Sequence, residues 1–166
     1  MKQIYLAIIL ILTSCVNSSN YIHPWNDYDH VYNQYERTDF EFDSDKNHYM
    51  LYSTLRNLEV CLSTTPKNKI DHIINENPSW QFVFYCNCSV ADSTQVMNVL
   101  RKYDCQFPVI IDPNRDFLEV NDINESYTMI GYFCNKKDKC FGGAIIGTSQ
   151  SFFDQEFKKA KAKIRN

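Results

Sequence analysis

Two cysteines one residue apart, Cys86-Asn87-Cys88, occupy the place in this sequence best suited to chemistry. They follow Trp80-Gln81-Phe82-Val83-Phe84-Tyr85, a nearly continuous apolar run of strand formers, and precede a stretch with helical spacing. Chemistry in such units sits where the strand ends and the helix begins, because backbone N–H groups and the positive end of the helix dipole point there. A second pair, Phe133-Cys134 and Cys140-Phe141, flanks five polar residues symmetrically, so Cys134 and Cys140 are expected to face each other across adjacent antiparallel strands as a structural disulfide. Other constellations are poorer. There is no Gly-x-Ser-x-Gly elbow, and His23, His30, His48 and His72 all precede the Trp80 strand. With four glycines, neither common glycine fingerprint for phosphate is present. Asp43-Ser44-Asp45-Lys46-Asn47 lacks the Gly and Glu of a calcium loop, having His48 and Thr54 there. Asp112 and Asp116 read as a helix cap and a solvated face, and Gly142-Gly143 as a bulge or close backbone contact. No cofactor and no metal is assigned; a metal held by Cys86, Cys88 and a further ligand would need thiolates kept reduced.

The 166 residues suffice for one domain with short appendages, and the formal charge of −3 without a basic patch excludes nucleic acid as a partner. The N-terminus has Lys2, an apolar stretch Ile4–Leu12 too short for a stable span, and then Leu12-Thr13-Ser14-Cys15. This resembles a bacterial lipoprotein signal, whose lipobox ends in the cysteine that is acylated. The resemblance implies cleavage before Cys15, a diacylglycerol and an acyl chain such as palmitate on the new N-terminus, and a membrane partner through that lipid. Val16 stands where an inner-membrane retention signal would place Asp, which implies an outer-membrane anchor facing the periplasm of a Gram-negative bacterium. The periplasm is oxidising, so some of Cys61, Cys86, Cys88, Cys105, Cys134 and Cys140 are expected to pair.

Residues 1–14 are thus read as signal peptide, 15–45 as an acidic, Tyr- and Asn-rich tether, and 46–166 as the folded domain with its core in 67–166. Leu51, Leu55, Leu58 and Val60 suggest a helix over 48–63. Thr65-Pro66 starts a second helix that runs to about Glu76 and buries Ile70, Ile73 and Ile74. A strand begins at Trp80, and Asp92 with Gln95 forms a capping box for a helix burying Val96, Val99, Leu100 and Tyr103. A second strand covers Phe107–Ile111, followed by a short helix with Phe117 and Leu118. Strands Thr128–Cys134 and Cys140–Ile146 form a hairpin, and a last helix from Gln150 faces Phe153, Phe157, Ala160 and Ile164 inward and its lysines outward.

The order β-α-β then β-β-α gives a central mixed sheet in an α/β/α three-layer arrangement, preceded by one or two N-terminal helices. This resembles the thioredoxin fold over roughly 67–166. The resemblance implies a Cys-x-x-Cys pair between the first strand and its helix, and a cis-proline before the hairpin. In Cys86-Asn87-Cys88-Ser89-Val90-Ala91, Cys88 falls at the nucleophile position and Ala91 where the resolving cysteine belongs; Ser126-Tyr127-Thr128 replaces the proline segment. Alternation along the strand is expected to turn Cys86 away from Cys88. The first reading is therefore a redox-inactive thioredoxin-like lipoprotein that binds a periplasmic protein or has a structural role. The alternative is a weak thiol-disulfide oxidoreductase or isomerase using Cys88 with Cys86 or Cys105. Cys15→Ser is expected to abolish acylation and leave the protein unprocessed or soluble, which metabolic lipid labelling and membrane fractionation will measure.

Overall fold

A computed structural model describes residues 21–165 apart from 66 and 148. Cys15, read above as the acylated cysteine, the segment read as signal peptide and the expected helix start at Pro66 lie outside these residues. Five strands form one sheet in the spatial order β1-β4-β3-β2-β5: β1 (Val31–Tyr32), β2 (Asn47–Thr54), β3 (Trp80–Asn87), β4 (Val109–Ile111) and β5 (Met129–Cys134). The parallel strands β2, β3 and β4 end together at one edge of the sheet, at Thr54, Asn87 and Ile111, while β1 and β5 run antiparallel at the flanks.

β3 lies at the centre because both its faces are apolar. Trp80, Phe82, Phe84 and Cys86 join one core, and Val83 and Tyr85 the other. The first core is aromatic: Phe82 stacks on Phe107 at 5.5 Å and Trp80 meets Phe157 edge-on at 4.8 Å. It is covered by α1 (Leu55–Thr64), α2 (Lys67–Glu76), α3 (Ser93–Lys102) and α5 (Gln150–Arg165), through residues such as Leu58, Ile73, Leu100 and Phe157. The opposite face is covered by the short α4 (Asp116–Val120) and by the chain ahead of β2. The helix of the β-α-β unit and the last helix thus share one face.

Three sequence expectations are corrected here. Residues 47–54 form a strand, not the start of a helix; β2 pairs over its whole length with β3 and is buried on both sides, so its apolar residues are continuous rather than alternating. The helix begins only at Leu55, with Thr54 Oγ1 accepting from Asn57 N at 3.4 Å. The segment read as a tether is part of the fold from residue 21 onward. Ile22 and Val31 are buried, β1 pairs with β4, and Trp25 N donates to Tyr85 Oη at 3.1 Å. The second hairpin arm makes only a bridge, Cys134 opposite Cys140, with Phe133 N donating to Gly142 O. Beyond it the chain leaves the sheet at Gly142 (φ +131°), and Gly143 passes so close to Gly131 that a Cβ there would lie 2.1 Å from the Gly131 carbonyl oxygen.

Having left the sheet, the arm lies on the first core, where the buried Tyr49 hydroxyl donates to Ala144 O at 3.0 Å and accepts from Ile146 N at 3.2 Å. Tyr49→Phe leaves both backbone groups unpaired in the interior, and is expected to lower the unfolding free energy by about 1–3 kcal/mol in urea titrations, with an unchanged m-value.

Candidate functional site

The carboxyl-terminal edge of β2, β3 and β4 carries the thiols. Cys86 is the last buried residue of β3 and Cys88 follows it, half-buried, before the chain turns into a 3-10 turn at Val90–Asp92. The turn is fixed locally: Ser89 Oγ accepts from Ala91 N at 3.2 Å, and Asp92 Oδ2 accepts from Ser89 N at 3.2 Å. The capping box therefore lies at Ser89 and Asp92, one turn ahead of its expected place, and Gln95 instead donates its side-chain amide to Asp92 Oδ1 at 3.1 Å. Asn87, between the cysteines, points to the other face and donates to Asp112 O at 2.9 Å, while Asp112 N donates to Cys86 O at 2.9 Å. The Asp112 carboxylate is buried and accepts from Asp116 N and Phe117 N at the start of α4, in the capping role expected of it. Burial pushes its carboxyl above the ordinary range.

The structure brings the two thiols together, contrary to the expectation that alternation separates them. Residues two apart on a strand share a face, and only Asn87 between them is turned away. Both sulfurs lie against the first core, and the electrostatics of the pair are dominated by a hydrogen bond from the Cys86 thiol to Cys88. That contact holds the Cys88 thiol below its usual value, outweighing burial and the neighbouring Asp92, which act in the other direction. The same hydrogen bond, with burial, pushes Cys86 well above the usual thiol value. A thiolate is the nucleophilic form, so the pair consists of one accessible attacking sulfur and one buried sulfur held in reserve.

The remaining cysteines fall elsewhere. Cys105 is buried just past the carboxyl end of α3, where its N donates to Leu100 O at 2.8 Å, whereas Cys88 precedes the amino end of that helix. Cys61, on α1, is also buried, its Sγ 3.1 Å from Met129 Sδ, and burial pushes its thiol up to about 11. Cys134 and Cys140 face each other as an antiparallel bridge pair, a geometry that brings Cα atoms to about 4.5–5.5 Å and so admits a disulfide. Both are thiols in the structure; the hydrogen bond from Cys134 draws Cys140 down to about 7 against its own burial. Among the described residues no group of three or more His, Cys, Asp and Glu side chains is arranged to hold a metal ion.

One residue at this edge escaped sequence reasoning. Ser53 is the register partner of Cys86 on one side and of Met129 on the other, and its buried hydroxyl has no hydrogen-bond partner among the described residues. Reading 48–63 as a helix removed the signal that would have placed it there.

No family model matches the chain, and no curated protein matches it either. Solved structures do resemble it. A putative thiol:disulfide interchange protein DsbE from Chlorobium tepidum superposes with a TM-score of 0.53 at 14% identity, over 70% of this chain and 81% of that one. An uncharacterized thioredoxin-like protein from Porphyromonas gingivalis gives 0.52 at 13% identity, over 74% and 78%. The mitochondrial 2-cys peroxiredoxin from Plasmodium falciparum gives 0.61 at 15% identity, over 84% and 90%. At such identities the likeness establishes the fold: a thioredoxin-like α/β fold around a mixed five-stranded sheet.

The cause of the lowered Cys88 thiol fixes the sign of a pH experiment. Removing the donor in Cys86→Ala leaves only the influences that raise Cys88, so its alkylation midpoint should move to higher pH and its reactivity at neutral pH should fall. Iodoacetamide labelling of full-length protein across pH, read at Cys88 by peptide mass spectrometry, measures the shift.

Proposed function

We propose that this chain is a membrane-anchored, extracytoplasmic thiol-disulfide exchange protein in which Cys88 is the nucleophile and Cys86 the resolving thiol. The observation that carries the reading is the placement of a buried and a half-buried cysteine against the same core at the edge where the parallel strands end, with the outer thiol held low and the inner one held high. Exchange needs that division of labour: the thiolate attacks a substrate disulfide, and its partner then expels the substrate. The alternative partner Cys105 follows α3 at the end opposite to Cys88, which favours Cys86 as the resolving thiol. Ala91 at the usual resolving position is thereby accounted for, since the resolving sulfur precedes the nucleophile instead of following it.

The substrate side differs from that of active thioredoxin-like proteins. The Thr128 carbonyl, at the segment where those proteins carry a cis-proline, accepts from Thr54 N at 3.1 Å and from Asn57 Nδ2 at 3.1 Å. An engaged carbonyl cannot pair with an incoming peptide, which favours a small or loosely held disulfide as substrate. It also supports, as the second reading, a domain that binds a periplasmic partner without turnover.

Anchoring rests on the lipobox ending at Cys15, and its outer-membrane placement on Val16 after it. An oxidising compartment would close Cys134 and Cys140 into a hairpin staple, worth on the order of 2 kcal/mol by loop entropy. The test uses the full-length protein in detergent, assayed for reduction of oxidised glutathione or insulin with a recycling reductant. Cys88→Ala should lose at least about tenfold in rate, and differential thiol labelling of the untreated protein should find Cys134 and Cys140 joined. Equal turnover by wild type and Cys88→Ala would instead leave the binding role.

A further inference from the structure

We infer that Ser53 is a positioning residue of the thiol pair, its hydroxyl donating to the Cys86 sulfur as that sulfur takes on negative charge, a role that rests on the Cys88 and Cys86 exchange proposed above. Ser53 is wholly buried, and its Oγ has no hydrogen-bond partner among the described residues. Buried hydroxyls in native proteins are nearly always paired, so an unpaired one marks a group whose partner forms in another state of the site. The register names that partner. Ser53 lies directly opposite Cys86 in the parallel ladder of β2 and β3, and register partners place their side chains on the same face of the sheet. Tyr49 and Leu51, four and two residues earlier on β2, join the same core as Cys86 and confirm the face.

The groups around Cys86 leave it short of a donor. Just past the end of its own strand the half-buried Cys88 accepts a hydrogen bond from it. Asp92 from the 3-10 turn and Asp112 beyond β4 both act to raise the Cys86 thiol. Tyr52 belongs to the opposite core, Ile111 is the neighbour on β4, and the Cys61 thiol on α1 is engaged with Met129. The Ser53 hydroxyl, level with Cys86 on the adjoining strand, is the donor placed to offset a charge forming on that sulfur.

The charge forms at one step. Cys88 thiolate attacks a substrate disulfide RS–SR′, releasing R′S⁻ and leaving the mixed disulfide Cys88–S–SR. Cys86 then gives up its proton and attacks Cys88 Sγ; the bond to the substrate sulfur breaks, and that sulfur leaves with the electron pair and takes up the proton. The Cys86–Cys88 pair is oxidised by two electrons and the substrate disulfide is reduced by two. A hydroxyl donating to Cys86 lowers the barrier of this second step and leaves the first step, at Cys88, unaffected.

Acid-quenched mass spectrometry of the full-length protein mixed with oxidised glutathione separates the two steps, since glutathionyl-Cys88 first accumulates and then decays to the Cys86–Cys88 disulfide. Cys86→Ala should make the adduct persistent. Ser53→Ala should form it at the wild-type rate but lose it about tenfold more slowly, with the pH midpoint of decay moved upward, and Ser53→Thr should restore both. The unchanged formation rate shows that the Ser53→Ala protein is folded at the site. Decay in Ser53→Ala as fast as in wild type would overturn the role of Ser53 while leaving the exchange reading intact. Slowing of both steps without rescue by Ser53→Thr would overturn it as well, assigning Ser53 to packing. If wild type forms no Cys88 adduct at all, the exchange reading itself fails.

Discussion

The eight-residue parallel ladder between β2 and β3 is the interaction on which the rest of the structure depends. Every residue from Asn47 to Thr54 pairs with one from Trp80 to Asn87, and His48–Ser53 of the first strand and Phe82–Cys86 of the second are buried without a break. Such a ladder removes apolar surface from water on both faces of the sheet, and it satisfies the backbone groups that burial would otherwise strand. It also levels the two strands at their carboxyl ends, so that Ser53 and Cys86 are neighbours by register. The helices of the first core and the aromatic cluster around Phe82, Phe133 and Phe157 then pack against a surface the ladder has already set.

The two thiol pairs arise from different geometry and lie far apart. Cys86 and Cys88 meet because side chains two apart on a strand share a face; Cys134 and Cys140 meet because an antiparallel bridge sets them opposite. The first pair belongs to the face of α1, α3 and α5, at the end of β3. The second belongs to the other core, where Cys134 is opposite His48 near the start of β2. Between the levels of His48 and Ser53 the strand advances about 17 Å, so the pairs do not exchange electrons directly within one molecule. In each pair one sulfur is buried and its thiol raised, while the half-buried partner is lowered by the hydrogen bond between them.

The segment ahead of β2 serves the second face, where the short α4 is the only helix among the described residues. Trp25 meets Tyr28 edge-on at 6.1 Å, Phe40 meets Phe42 at 5.1 Å, and Tyr85 Oη donates back to Trp25 O at 3.3 Å. The hairpin tip holds the same segment through Ile22 N donating to Asp138 O and through His23 Nδ1 at 2.9 Å from Asp138 Oδ2. A chain with polar composition and many aromatics thus covers a sheet with no regular structure among its described residues beyond the two-residue β1, its rings filling the space a helix would occupy.

The sequence by itself determined what is local: the strand at Trp80, the helices burying Leu100 and Phe157, the strand ending at Ile111, and the junction at which Cys86 and Cys88 lie. These follow from periodicity, caps and turn residues within a dozen positions, as does the facing of Cys134 and Cys140 across five polar residues. Only the tertiary structure decided that 47–54 is a strand, because burial on both faces erases the alternation that marks a strand in sequence. It also decided that the second hairpin arm leaves the sheet, since the approach of Gly143 to Gly131 is a contact between residues twelve apart whose spacing carries no sign of it. For the same reason Ser53 was invisible as part of the site: its place beside Cys86 is a fact of register between strands joined through two helices, and register is set by which faces are buried.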